Sequence, residues 1–115
     1  MYRRAKMEVL SRADEILLLA ILRLKDNAYG VSIVKEVEQR TRKKLKLGGL
    51  WVSLDILAKR GLVGKRMGDP IPKRGGRSKI YYSLTPAGLT ALERVNEFNR
   101  SLWKGIEEVI KDSKA

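Results

Sequence analysis

The chain has 115 residues, enough for one domain with a modest core and too few for two. It contains no cysteine and no histidine, which excludes a disulfide framework, a thiolate zinc site and the commonest general base and thiol nucleophile. The formal net charge is +12, and the excess is concentrated: residues 35–79 hold 14 basic and 4 acidic side chains, against 6 and 4 in residues 1–34 and 5 and 5 in residues 80–115.

In chain order, residues 1–10 mix basic and apolar types and read as an arm or a helical turn. Ser11 is a suitable N-cap, with Asp14 and Glu15 in the first turn where a helix dipole favours acids. From 16 to 24 only Arg23 is strongly polar, and at helical spacing the apolar residues run nearly all the way round. This predicts a first helix buried on most sides, either central in the domain or covered by a second subunit.

Lys25-Asp26-Asn27 reads as a turn leading into a second helix over 31–41, with Val31, Ile33, Val34 and Val37 on its apolar face. Ser32, Lys35, Glu36, Gln39 and Arg40 face outward in this reading. Arg42, Lys43, Lys44 and Lys46 form a basic connection, with Leu45 and Leu47 as inward anchors. A third helix is expected over 48–60, stopped by Gly61. Its inward face is Leu47, Leu50, Leu54 and Leu57, with Trp51 and Ala58 at the edge and Gly49, Val52, Ser53, Ile56, Lys59 and Arg60 opposite.

Strands are expected over 62–67 and Ile80–Leu84, joined by a loop marked by Gly68-Asp69-Pro70 and Gly75-Gly76. Thr85 then caps a terminal helix that has Pro86 at its first position and runs to about 111. Leu92, Val95, Asn99, Leu102, Ile106 and Val109 recur at alternating spacings of three and four, the seam of a coiled coil, with Asn99 able to fix its register. Phe98, Trp103 and Ile110 widen the stripe. A second copy of the chain is the natural partner for it; the alternative is folding back on the first helix of the same subunit.

The fold class is therefore mainly α with a small β-hairpin: a winged helix-turn-helix unit over 1–85 followed by a long C-terminal dimerisation helix over 86–115, together one compact unit. The concentrated basic segment predicts a polyanion-facing surface, double-stranded DNA first, with duplex RNA as a rival. The acids lie on helices beside bases at spacings that suit solvated ion pairs, and Gly75-Gly76 lacks the Walker or dinucleotide spacing. No enzyme, no metal and no cofactor is expected. With no apolar run of the roughly 20 residues a bilayer needs and no signal-like stretch, the expectation is a cytoplasmic protein without membrane association.

In this order and spacing, several short motifs together resemble the PadR family of winged-helix transcriptional regulators. They are Tyr29-Gly30, Leu50-Trp51 with Leu54, Leu57, Gly61, Leu62 and Val63, then Gly75-Gly76-Arg77, Lys79, Tyr81-Tyr82, Leu84-Thr85 and Gly88. The likeness spans roughly 16–92 and points to the branch with a single terminal helix. It implies a homodimeric regulator, usually a repressor, on a pseudo-palindromic operator. Some members bind planar hydrophobic compounds between subunits, which makes Phe98 and Trp103 candidates for contact with a small hydrophobic effector, if they do not simply fill the dimer core.

The DNA-binding set read from the residues and the resemblance is Tyr29, Lys43, Lys44, Lys46, Gly49, Trp51, Val52, Ser53, Lys59, Lys73, Arg74, Arg77 and Lys79. Lys43, Lys44, Lys46 and Lys59 would neutralise phosphates, Lys73, Arg74, Arg77 and Lys79 on the wing would lie along the backbone or reach into the minor groove, Val52 and Ile56 would touch thymine methyls and Ser53 would hydrogen-bond a base. Where the family commonly has a Pro-Gly-Thr-Leu-Tyr-like run, this chain has Leu47-Gly48-Gly49-Leu50-Trp51, and its outward helix face offers few base readers. That departure leaves a second reading open: a ligand-sensing or interaction module with weak DNA binding.

Overall fold

A computed structural model describes residues 9–44, 49–68 and 79–115. Helix α1 (Arg12–Leu24) starts where Ser11 Oγ accepts the Asp14 N–H at 3.1 Å, and a 3-10 turn, Lys25–Asn27, follows it. Helix α2 spans Gly30–Thr41, α3 spans Leu50–Lys59, and strands β1 (Val63–Met67) and β2 (Ile80–Leu84) form an antiparallel hairpin. Helix α4 (Pro86–Trp103) and a short α5 (Ile106–Lys114) complete the chain.

The register pairs Val63 with Leu84 and Met67 with Ile80. The ladder continues through the Gly68 N–H, which donates to Lys79 O at 2.8 Å. On the far side of β2 the Tyr82 N–H donates to Ala28 O at 2.8 Å, and Tyr29 bridges Tyr81. The segment before α2 thus joins β2 at a single bridge and ties the wing to the helical body. Leu18, Ile21, Ile33, Leu54 and Leu57 are the most deeply buried large side chains, so the core lies where α1, α2 and α3 converge.

Several expectations change. Ser32, expected outward, is buried: its Oγ accepts the Tyr29 N–H at 2.9 Å and lies 2.6 Å from Asn27 O as a donor. Burial satisfies groups that the turn into α2 would otherwise leave open. Val31, expected inward, is 49% exposed, because at about 100° per residue it lies roughly 110° from the direction that Gly30, Ile33, Val34 and Val37 define. Helix α3 begins at Leu50 rather than 48, with Gly49 as its N-cap, so Gly49 carries no interior-helix penalty. Leu45 and Leu47 lie outside the described residues.

Helix α1 buries Leu17, Leu18, Ala20 and Ile21 but leaves Leu19 and Leu22 exposed, so the rest of the chain does not cover it on most sides. The terminal helix is not continuous to 111. It breaks at Lys104-Gly105, with Gly105 at φ +80, a region where a Cβ is strained and glycine is not. The seam is also divided in role. Leu92 and Val95 sit in the core of their own subunit at 8% and 4% exposure, α4 packing partly on α1, while Leu102, Ile106 and Val109 are open. Periodicity marks an apolar stripe without saying what covers it: one end is covered by the chain's own core and the other is open.

Candidate nucleic-acid interface

Helix α3 presents two faces. Leu50, Leu54 and Leu57 anchor it in the core, and Val52, Asp55, Ile56 and Lys59 are exposed on the other side. Ser53 is half-buried at the edge and Gly49 lies exposed at the N-terminus. Asp55 is absent from the outward face expected from the sequence, where the acids suit ordinary ion pairs. The structure gives that residue a definite partner: Lys65 Nζ on β1 donates to Asp55 Oδ1 at 2.5 Å. The hydrogen bond from Lys65 and its charge hold the Asp55 carboxyl below its ordinary value, and the same bond raises the Lys65 ammonium. Next to this pair, burial pushes the Tyr82 phenol up.

Trp51 occupies a particular place. Its ring lies over Gly30 at the start of α2, so closely that a Cβ on residue 30 would sit 2.9 Å from Cζ2 and nearer still to Cη2. The indole is nevertheless 54% exposed. It therefore packs α3 against α2 through its benzo edge and leaves the rest of the ring to solvent.

At the base of the wing, cations and rings alternate. Lys79 Nζ lies 4.1 Å from the centre of the Tyr29 ring, Tyr29 meets Tyr81 edge-on at 5.6 Å, and Arg66 Cζ lies 4.5 Å over Tyr81. Arg66 also donates to Asp26 O at 3.0 Å. Tyr29 and Lys79 were expected to meet DNA; here they meet each other, and Arg66 and Tyr81, absent from the expected set, extend the stack. Each cation–ring contact contributes on the order of 0.5–1 kcal/mol at an exposed site, and together they hold the hairpin to the start of α2. The signal was legible in outline, since two basic residues and two tyrosines flank the hairpin, but pairing across 52 positions of chain is invisible to local periodicity.

Lys43 and Lys44 are exposed beyond the C-terminus of α2, and Lys59 is exposed in the last turn of α3. Lys46, Lys73, Arg74 and Arg77 lie outside the described residues. Arg60, on the edge of α3, is occupied by Asp14 of α1 at 3.0 Å. Of the expected dimer residues, Asn99 is half-buried on α4, Leu102 is 60% exposed, and Ile106 and Val109 are open on α5; Phe98 is half-buried and Trp103 exposed. An open groove between α1 and α4 is lined by Leu19, Leu22, Leu89 and Leu92, with Glu15, Glu93 and Asn96 at its rim. No helix among the described residues is long and apolar enough to cross a membrane, and none of their His, Cys, Asp or Glu side chains cluster as a metal site.

Comparison with known proteins places this geometry. The chain is similar to a PadR family transcription regulator from hypervirulent Clostridium difficile R20291, at 29% identity and a TM-score of 0.60, covering 89% of this chain and 98% of that one. It is similar to hsRosR-S1, solved as a complex, at 25% identity and a TM-score of 0.64, covering 91% and 92%. A transcriptional regulator from Clostridium thermocellum shares the fold at 24% identity and a TM-score of 0.67, covering 83% and 89%. No curated protein matches. The sequence pattern of the Transcriptional regulator PadR-like family matches residues 18–94, from within α1 through the wing and into α4. With three helices, a paired wing and that match over most of its length, the chain belongs to the PadR-like family of DNA-binding transcriptional regulators.

Proposed function

We propose that the protein is a homodimeric repressor that binds a pseudo-palindromic operator, with α3 of each subunit in a major groove and each wing on the flanking backbone. The observation that carries this reading is the exposed face of α3 beside a cationic hairpin, in a segment that holds nearly all of the net charge. Lys43, Lys44 and Lys59 neutralise phosphates, and Lys46, Lys73, Arg74 and Arg77 are assigned the same role from the sequence. Lys79, set on Tyr29, positions the wing. Val52 and Ile56 meet thymine methyl groups, and Trp51 and Ser53 lie at the margin of the contact.

The dimer is supported by what one subunit leaves uncovered. Leu19, Leu22 and Leu89 line one apolar surface, and Leu102, Trp103, Ile106, Val109 and Ile110 another. The Cα radius of gyration is 17.6 Å, against about 13 Å for a compact domain of this length. An arm that buries nothing within its own chain needs an outside surface, and a second copy supplies both halves of the contact at once. Asn99 lies where the seam passes from the core to the open region. A second reading, an effector-responsive dimer, rests on Phe98 and Trp103 beside that seam; Trp103 fluorescence quenched by planar aromatic compounds would support it.

Selection of bound sequences from random duplex DNA, with light scattering on the eluted protein, tests the proposal. The expected result is a dimer and a two-part motif whose half-sites lie about one helical turn apart or a multiple of it. A monomer at micromolar concentration, or enrichment of no motif, overturns it. Equal affinity for duplex RNA would move the reading to a general polyanion binder.

A further inference from the structure

The outward face of α3 carries one acid in a protein whose charge is strongly positive, and its position is informative. At about 100° per helical residue, the buried Leu50, Leu54 and Leu57 define the inward direction, and Val52 and Lys59 lie within about 15° of its opposite. Asp55 and Ile56 flank them at about 50° on either side. Asp55 is thus part of the surface that would meet bases, and a bare carboxylate there would be repelled by the phosphates. Lys65 removes that repulsion: its Nζ holds Asp55 Oδ1, and the two side chains remain 41% and 53% exposed. An ionised carboxylate has about four lone-pair sites, so one lysine leaves acceptor capacity facing outward.

We propose that Asp55 is a base-reading residue that selects a cytosine in each half-site, accepting a hydrogen bond from the cytosine N4 amine while Lys65 orients the carboxylate and neutralises it. This rests on the reading of α3 as the helix that enters the major groove. The donor and acceptor pattern of the groove singles out that base. Guanine shows two acceptors and thymine an acceptor beside its methyl, both unfavourable to a carboxylate. Adenine sets an acceptor beside its amine, whereas cytosine offers the amine alone. Val52 and Ile56, next to the acid on one side of it around the helix, add apolar contacts that favour thymine methyl groups nearby. Lys65 belongs to the wing and Asp55 to the helix, so the pair also couples the reader to the element that grips the backbone.

The test is selection from random duplex DNA with the full-length protein, followed by anisotropy titrations on the selected duplex, for the unaltered chain and for Asp55→Asn, Asp55→Ala and Lys65→Met. The unaltered protein should enrich cytosine at one position per half-site and bind roughly tenfold more weakly when that base pair is replaced. Asp55→Ala should lose the preference at that position alone. Asp55→Asn, which keeps the shape and gains a donor, should move it toward adenine, whose N6 and N7 suit a carboxamide. Lys65→Met should weaken binding to every sequence while cytosine remains preferred. The same motif from the unaltered protein and Asp55→Ala, with the same replacement penalty, overturns the assignment and leaves the DNA-binding reading standing. Failure of the unaltered protein to bind any duplex brings down both.

Discussion

Gly30 and Trp51 form a pair whose behaviour can be predicted from one contact. A methyl group at 30 would collide with the indole, so Gly30→Ala should destabilise by about 1–3 kcal/mol, the usual cost of overpacking. Without the ring the same change removes a helical glycine and should stabilise by up to about 1 kcal/mol. Urea unfolding of the single and double variants should therefore show the sign of Gly30→Ala reverse in a Trp51→Ala background; the same sign in both would mean that the ring does not rest on Gly30. Ser32 offers a second case. Ser32→Ala leaves the Tyr29 N–H without its acceptor and should cost about 1–2 kcal/mol, read as a lowered melting temperature. The Asp55–Lys65 pair has a pH signature of known sign. Asp55 is depressed from an ordinary 3.8, so its contribution is full above that value and fades as pH falls through the lower folded one. Lys65 is raised from 10.5, so its contribution is full below that value and fades as pH rises through the higher folded one. The stability difference between the unaltered protein and Asp55→Asn should be flat across neutral pH and shrink at both extremes; a change centred near neutrality would implicate other groups.

At the level of elements, the starts and stops with a capping residue were legible because they depend on local chemistry. Ser11 caps α1, Thr85 and Pro86 open α4, and Gly61, at φ +75, closes α3, each as the residue type predicts. The inward turn of Ser32 was not legible, since a serine near a helix start looks the same whether it faces water or satisfies the turn before it. The break at Gly105 was hidden for a related reason. Leu102, Ile106 and Val109 keep a regular spacing across it, and a lone glycine inside a periodic stretch is compatible with an unbroken helix. Asp55 was overlooked because its partner is on a strand ten residues later, beyond any helical spacing. The break makes a prediction of its own. Holding φ +80 costs an alanine about 1–2 kcal/mol, so Gly105→Ala should drive α4 and α5 toward one continuous helix. Helical circular dichroism should rise, and sedimentation equilibrium should show weaker dimerisation as α5 swings from its direction; raised helicity with an unchanged dissociation constant would mean that the kink does not place α5 against its partner.

For the whole molecule, buried and open leucines would separate folding from assembly in the proposed dimer. Leu92 lies in the core of the chain and Leu19 on the open side of α1, so truncating the first should unfold the chain while charging the second should only part the proposed dimer. Leu19→Asp is therefore the variant with which to ask what dimerisation contributes to binding. Each neutralised phosphate steepens the salt dependence of duplex binding by about 0.9 on a log–log scale. If two subunits grip one operator, the dimer neutralises twice as many phosphates as a single subunit does. Titrations between roughly 50 and 200 mM salt should then give Leu19→Asp a slope near half that of the unaltered protein. The variant's affinity should also stop depending on the spacing between half-sites. A monomeric Leu19→Asp with the full slope would mean that one subunit makes all the backbone contacts and that the second copy serves some purpose other than holding DNA. The charge distribution favours the halved slope, because the basic excess lies in the helix and wing segment of each subunit while residues 80–115, with 5 bases and 5 acids, add no net charge to the contact.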